Sequence, residues 1–214
     1  MKIDQVLDIS QIKKYKEEDL INRAKEYGLK NIKSGYLSHQ AVFKAVCNTL
    51  FVEPPPESLR VLSGFGGGIA FSGEVCGALC GGIASMAYFF GTSEPVDFTY
   101  LRNIVNHQSY SPNQKIQADM DNAKKEGFFI FNYLYFLFKK KYGTTKCREL
   151  IATYFPDDLM ERKRFLFCQH IVSNTSGLTV QAVLEFIDQK INYNMDEHVL
   201  THFLKLSETK TTDD

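Results

Sequence analysis

Neither sign of charge prevails in this chain: Lys plus Arg and Asp plus Glu number 25 each in 214 residues. No long-range field draws a polyanion, and no basic stretch interleaved with aromatics is present, so a nucleic-acid partner is not expected. Cys-x-x-Cys-His does not occur, which excludes covalent c-type haem. Long apolar runs are missing too. The most apolar stretch, Phe128 to Phe138 (FFIFNYLYFLF), would span about 16 Å as a helix, roughly half a bilayer's hydrocarbon core, so a buried helix is expected there and no membrane span. The first twenty residues lack the apolar segment of a secretory leader. Five cysteines, an odd number, do not make a disulfide framework; with the missing leader they point to a cytoplasmic protein with reduced or metal-bound thiols. The Gly64 to Gly68 loop lacks the Gly-Lys-Ser/Thr or Gly-x-Gly-x-x-Gly of a nucleotide site. His198 and His202 stand at i, i+4 without a Glu-x-x-His context and read as surface histidines. No spacing picks out a nucleophile with its base.

What the chain does have is glycine, concentrated in one place. Nine of its fourteen glycines fall between Gly64 and Gly91, in a run that also holds Cys76 and Cys80. Gly66, Gly67 and Gly68 allow backbone to approach another group closely, and are candidates for contact with a cofactor. Ser72-Gly73-Glu74 then leads into a helix predicted over 75–90, with Ser72 as N-cap and Cys76 in the first turn. A thiol there faces unpaired N–H groups and the positive end of the helix dipole, so a lowered pKa is expected for Cys76. Gly77, Gly81 and Ser85, at i, i+4 and i+8, form a smooth strip for a second helix or a cofactor.

The rest reads as helix, which predicts an all-α, single-domain multi-helix bundle over 1–214, with 192–214 as a C-terminal tail. Apolar spacing predicts a helix from Lys16 to Tyr27 stopped by Gly28, and another from His39 to Phe51 halted at Pro54-Pro55-Pro56, a stiff linker. Val96 to Ile104 begins a further helix, NHQSYSPN from Asn106 to Asn113 is a turn-rich insertion or lid, and Met120 to Tyr142 is the longest helix candidate. Gly143-Thr144-Thr145 ends that helix and caps the next, which puts Cys147 in a first turn. Two closing helices are expected, Met160 to Val172 with Cys168 and Leu178 to Ile191. Phe128 to Phe138 is apolar nearly all round and needs cover on every side, part of which a second subunit would supply; a homodimer is the expectation.

These residues carry a resemblance. FGGGIAFSGEVCGALCGG resembles the signature of a family of redox-active proteins named for cysteines arranged as C…CGAxxG…C…C, with Cys76-Gly77-Ala78-Leu79-Cys80-Gly81 as the central CGAxxG. Ser34 to Val42 resembles the helix start bearing the family's first cysteine, Thr145 to Leu150 the third-cysteine motif, and Cys168 to Val172 the fourth. The likeness runs over roughly residues 20 to 190, and the family is similar in turn to the split-Soret cytochromes, whose cysteine set is associated with an iron–sulfur type centre. The resemblance implies a redox function and assigns Cys76, Cys147 and Cys168 to the site. Taken alone, Cys168 among Phe165, Leu166 and Phe167 would be a core cysteine, and His170, off its face, is not a ligand.

At the first position this chain departs from the family, with Ser38 in place of cysteine. Cys47 follows Ser38 by nine residues, half a turn out of phase, and belongs to the core. Cys80 follows Cys76 by one turn and is the expected fourth metal ligand; Ser38 or His39 are the substitutes. The leading expectation is a redox protein whose Cys76, Cys80, Cys147 and Cys168 bind an iron–sulfur or related centre and pass electrons to an unidentified partner. The alternative is a metal-free thiol/disulfide oxidoreductase or redox sensor with Cys76 as the attacking thiolate.

Overall fold

The computed structural model describes residues 6–91, 128–154 and 161–188. The features expected between 92 and 127, the tail from 192, and His198 and His202 lie outside these residues.

After a single turn, α1 (Ile9–Ile12), the chain enters α2 (Glu17–Lys33). Its charges suit the helix dipole, with Glu17, Glu18 and Asp19 in the first turn and Lys30 and Lys33 in the last. Leu20, Ala24, Gly28, Asn31 and Ile32 are its buried face. Gly28 is not the stop its type predicts: the helix runs through it and ends before Gly35, at φ +95°. Gly28 lies instead where α2 crosses the last helix, and a Cβ there would stand 2.5 Å from Ser176 Oγ and 3.2 Å from the Val172 carbonyl oxygen.

Next comes α3 (Ser38–Thr49), opened by the Gln40 side chain accepting the Leu37 N–H at 3.2 Å. Eight of its twelve residues are buried, His39 and Cys47 among them, because α2 and the later helices Gly77–Phe90 and Glu161–Ile187 pack around it. Phe51, at φ +63°, turns the chain out, and Pro56 opens α4 (Pro56–Leu62) at a helix start where its missing N–H costs nothing. The proline run is thus half linker, half helix start.

The glycine-rich helix α5 is Gly77–Phe90, two residues shorter at its start than predicted. It lies close on α3, with Gly81 against the His39 main chain. Beyond the undescribed stretch, α6 (Phe128–Tyr142) buries one stripe, Ile130, Leu134 and Phe138, while Tyr135 is exposed. Tyr133 donates its hydroxyl hydrogen to Glu185 at 2.8 Å. Its apolar surface is therefore buried fully on one face only.

α7 (Cys147–Tyr154) is followed by α8 (Glu161–Ile187), 27 residues without a break. Two helices are predicted here and one is found. The polar stretch Ser173-Asn174-Thr175-Ser176-Gly177, which falls between the two predicted helices, stays helical with its two serine hydroxyls bonded within the bundle: Ser176 donates to the Val172 carbonyl at 2.9 Å and Ser173 to that of Lys25 at 3.0 Å, while the buried Thr175 hydroxyl has no hydrogen-bond partner. Their small size lets α2 and α5 approach.

The described residues are all-α, with a single antiparallel bridge between Val75 and Lys146. None of their helices is long and apolar enough to cross a membrane. Close approach at Gly81 gives a test. Gly81→Ala drives a Cβ into the His39 backbone and is expected to destabilise by about 2 kcal/mol or more, whereas Gly64→Ala, with nothing within 4 Å and no positive φ, stays within about 0.5 kcal/mol of wild type in thermal or urea unfolding.

Candidate redox site

The glycine run builds a turn of the wrong hand. After the 3-10 turn Ser63–Phe65, residues Gly67, Gly68, Ile69, Ala70 and Phe71 all hold φ between +50° and +83°. For the three non-glycine residues this conformation costs about 1–2 kcal/mol each. Backbone bonds hold it in place: the N–H groups of Ala70, Phe71, Gly73 and Glu74 donate to the carbonyls of Gly64, Gly66, Gly67 and Gly68 at 2.8–3.1 Å. Ser72, expected as N-cap, donates its hydroxyl hydrogen back to the Gly68 carbonyl instead.

This turn delivers Gly73 to Cys76 alongside Thr145 to Arg148. The Cys76 N–H donates to the Thr145 carbonyl at 2.8 Å, the Cys147 N–H to that of Glu74 at 2.5 Å, and the Arg148 N–H to that of Gly73 at 2.8 Å. An ion pair between Arg148 and Glu74 lies over the pairing, half-exposed and therefore of little energetic weight. The consequence is geometric: Cys76 and Cys147 sit on paired backbone at the starts of α5 and α7.

Cys147 is the first residue of its helix, as expected. Cys76 is not in a first turn. It is itself the N-cap of α5, with extended backbone at φ −55°, ψ 127°. The Cys80 N–H donates to the Cys76 carbonyl at 3.0 Å, the first bond of the helix, and Cys80 lies near enough to Cys147 for charge there to raise its pKa. The lowered pKa expected for Cys76 fails: burial pushes its thiol up to about 12, the N–H groups of Leu79 and Ala78 offset only part of that, and charge on Cys147 or Cys168 would add to it. Burial likewise raises half-buried Cys80 to about 11 and core Cys47 to about 12.

A cavity of about 690 Å³ brings the family positions together. Ser38 from the start of α3, Cys76 before α5, Cys147 from α7 and Cys168 from α8 all line it. Cys80 and His39 are not among its lining residues. Of the five candidate glycines, Gly67 and Gly77 line it; Gly81 serves the α3–α5 crossing, Gly68 packs under Gly73 and Glu74, and Gly66 faces His39, Leu37 and Phe71. Among the described residues, no group of three or more His, Cys, Asp and Glu is arranged to hold a metal ion.

His39 sits behind this cavity, fully buried, with no hydrogen-bond partner on either ring nitrogen. Its ring meets Phe65 edge-on at 6.4 Å, and burial lowers its pKa to about 4. Sequence reasoning missed the apolar lining, Tyr36, Phe71 and Phe167 above all, and the pairing that joins the two cysteines. The shared polar lead-ins Ser72-Gly73-Glu74 and Thr144-Thr145-Lys146 were the available signal.

The family whose description reads "Putative redox-active protein (C_GCAxxG_C_C)" matches residues 36–182. The chain belongs to this family. No curated protein and no solved structure matches it. The family span takes in Ser38 and all three cavity cysteines, together with α3 to α7 and most of α8. A redox role is what family membership carries.

The buried neutral imidazole makes stability depend on pH. Below the ordinary histidine value the unfolded chain binds a proton that folded His39 refuses, so its contribution is complete above about pH 6.5 and is lost as pH falls toward 4. Between pH 7 and 5 the wild type is expected to lose about 1–2 kcal/mol more than His39→Leu, read from urea unfolding at both pH values. Equal losses would show that His39 is protonated in the folded protein.

Proposed function

We propose that this chain is an electron-transfer protein in which Cys76, Cys147 and Cys168 hold an iron–sulfur or related metal centre. One observation carries the reading: three thiols and the Ser38 hydroxyl, from four separate segments, line one cavity. The donor set fits such a group in type, since thiolates are the ligands of iron–sulfur centres. The fit is one of donor type and not of spacing: among the described residues no group of three or more His, Cys, Asp and Glu is arranged to hold a metal ion. When bound, the group supplies the reversible one-electron chemistry.

The protein's own part is to position and to insulate. Paired backbone fixes Cys76 against Cys147, and the N–H groups of Ala78 and Leu79 face the Cys76 sulfur, where they stabilise negative charge. Burial keeps Cys76 protonated until a cation displaces the proton, so loading is expected to release protons. That burial also weighs against the metal-free alternative, because Cys76 is only 8% exposed and its thiolate is disfavoured at neutral pH. Ser38 lines the cavity and Cys80 does not, so Ser38 is the better placed fourth donor.

Protein purified without oxygen should be brown and contain iron and acid-labile sulfide. Cys76→Ser, Cys147→Ser and Cys168→Ser should each lose most of the iron. Cys80→Ser and Cys47→Ser should keep it, and Ser38→Cys should bind it more tightly. Colourless, iron-free anaerobic preparations would overturn the proposal, and loss of iron in Cys80→Ser with retention in Ser38→Ala would move the fourth donor to Cys80.

A further inference from the structure

The cavity is larger than its cysteines need. Metal–sulfur bonds are about 2.3 Å long, so a centre held on Cys76, Cys147 and Cys168 occupies only the space next to those sulfurs, out of about 690 Å³. The remaining lining is apolar: Ile32 from α2, Leu37 before α3, Leu150 and Ile151 from α7, and Phe167 and Ile171 from α8. Two hydroxyl-bearing residues, Tyr36 and Ser38, are its further polar contribution, and among the described residues no Lys, Arg, Asp, Glu or His lines it. The nearby charges are engaged elsewhere, Arg148 with Glu74 and Lys44 over the Tyr36 ring at 5.7 Å.

From this lining we infer that the cavity is a binding site for an uncharged, apolar, ring-bearing organic molecule, held beside the cysteines. The inference deepens the redox reading of the same site and rests on it for the molecule's use. Three properties define the class. Volume places it among small organic ligands, since sites of 300–1,000 Å³ take drug-sized molecules. Charge is excluded, because an ion entering this lining would lose its hydration with no counter-charge to replace it. Rings are favoured by Phe71 and Phe167, which offer flat faces and edges to stack on.

Access is through the left-handed turn. Phe71 is 77% exposed and Leu37 39%, yet both line the cavity, and both lie against Gly66. The cavity therefore opens to solvent between them, and an apolar molecule meets two exposed apolar side chains before it meets the sulfurs.

Nile red, an uncharged fluorophore of fused rings, is the probe. Titrated into the full chain, both as purified anaerobically and after chelation, it is expected to brighten and shift to the blue, saturating at one molecule per chain in the chelated protein. Leu37→Glu and Ile151→Glu place a carboxylate on the lining and should weaken binding by about tenfold or more. Val61→Glu, an equally drastic change at an exposed position outside the cavity, should leave it unchanged. Iron is measured on the same preparations. Iron without saturable dye binding overturns this inference and leaves the metal centre standing; dye binding that responds to Leu37 and Ile151 without any iron overturns the metal centre instead. Dye uptake indifferent to both carboxylates overturns the site.

Discussion

Two short stretches of backbone, Gly73 to Cys76 and Thr145 to Arg148, hold each other by hydrogen bonds from Cys76, Cys147 and Arg148, and the site depends on that pairing. They are about seventy residues apart in sequence, and each runs at once into a helix. Helix packing alone sets α5 against α3, but it would leave the N–H and carbonyl groups of the half-buried lead-in to Cys76 without protein partners. Pairing satisfies those groups and in the same stroke sets two thiols side by side. The left-handed turn before it is the cost of arriving at the right angle, met by its own ladder of hydrogen bonds.

Around Cys76 two electrostatic effects oppose each other. The N-terminal N–H groups of α5 favour a thiolate, and burial disfavours it more strongly, so the thiol stays protonated. Such a balance suits a group waiting for a positively charged centre rather than one that attacks by itself. Once a cation is present, the desolvation that resisted charge strengthens its attraction for sulfur, because both then sit in a poorly screened interior.

Much of this was legible in the sequence, for reasons that differ by element. The all-α architecture followed from apolar spacing at Leu20, Ala24, Val42 and Val46, and α7 beginning at Cys147 followed from Gly143 and the threonines. The resemblance placed Ser38, Cys76, Cys147 and Cys168 in one set, and they line one cavity. What failed was local inference where tertiary contact decides. Gly28 stops no helix because a crossing partner needs its bare backbone; Ser173 to Gly177 break none, with the Ser173 and Ser176 hydroxyls bonded to carbonyls; Cys76 is a cap and not a first-turn residue because the bridge holds it extended. None of those partners is within reach of a sequence window.

The unbroken course of α8 has a mechanical corollary. At about 1.5 Å per residue, 27 residues make a rod of roughly 40 Å with no glycine–proline joint inside it, so Cys168 travels only if α8 travels as a body. That rod is keyed to α2 through the Lys25 carbonyl and Gly28, and to α6 through Glu185. Cys168 is thus held by a long rod, while Cys76 and Cys147 are tied directly to each other by the paired backbone that opens α5 and α7, so the set is braced in two independent ways.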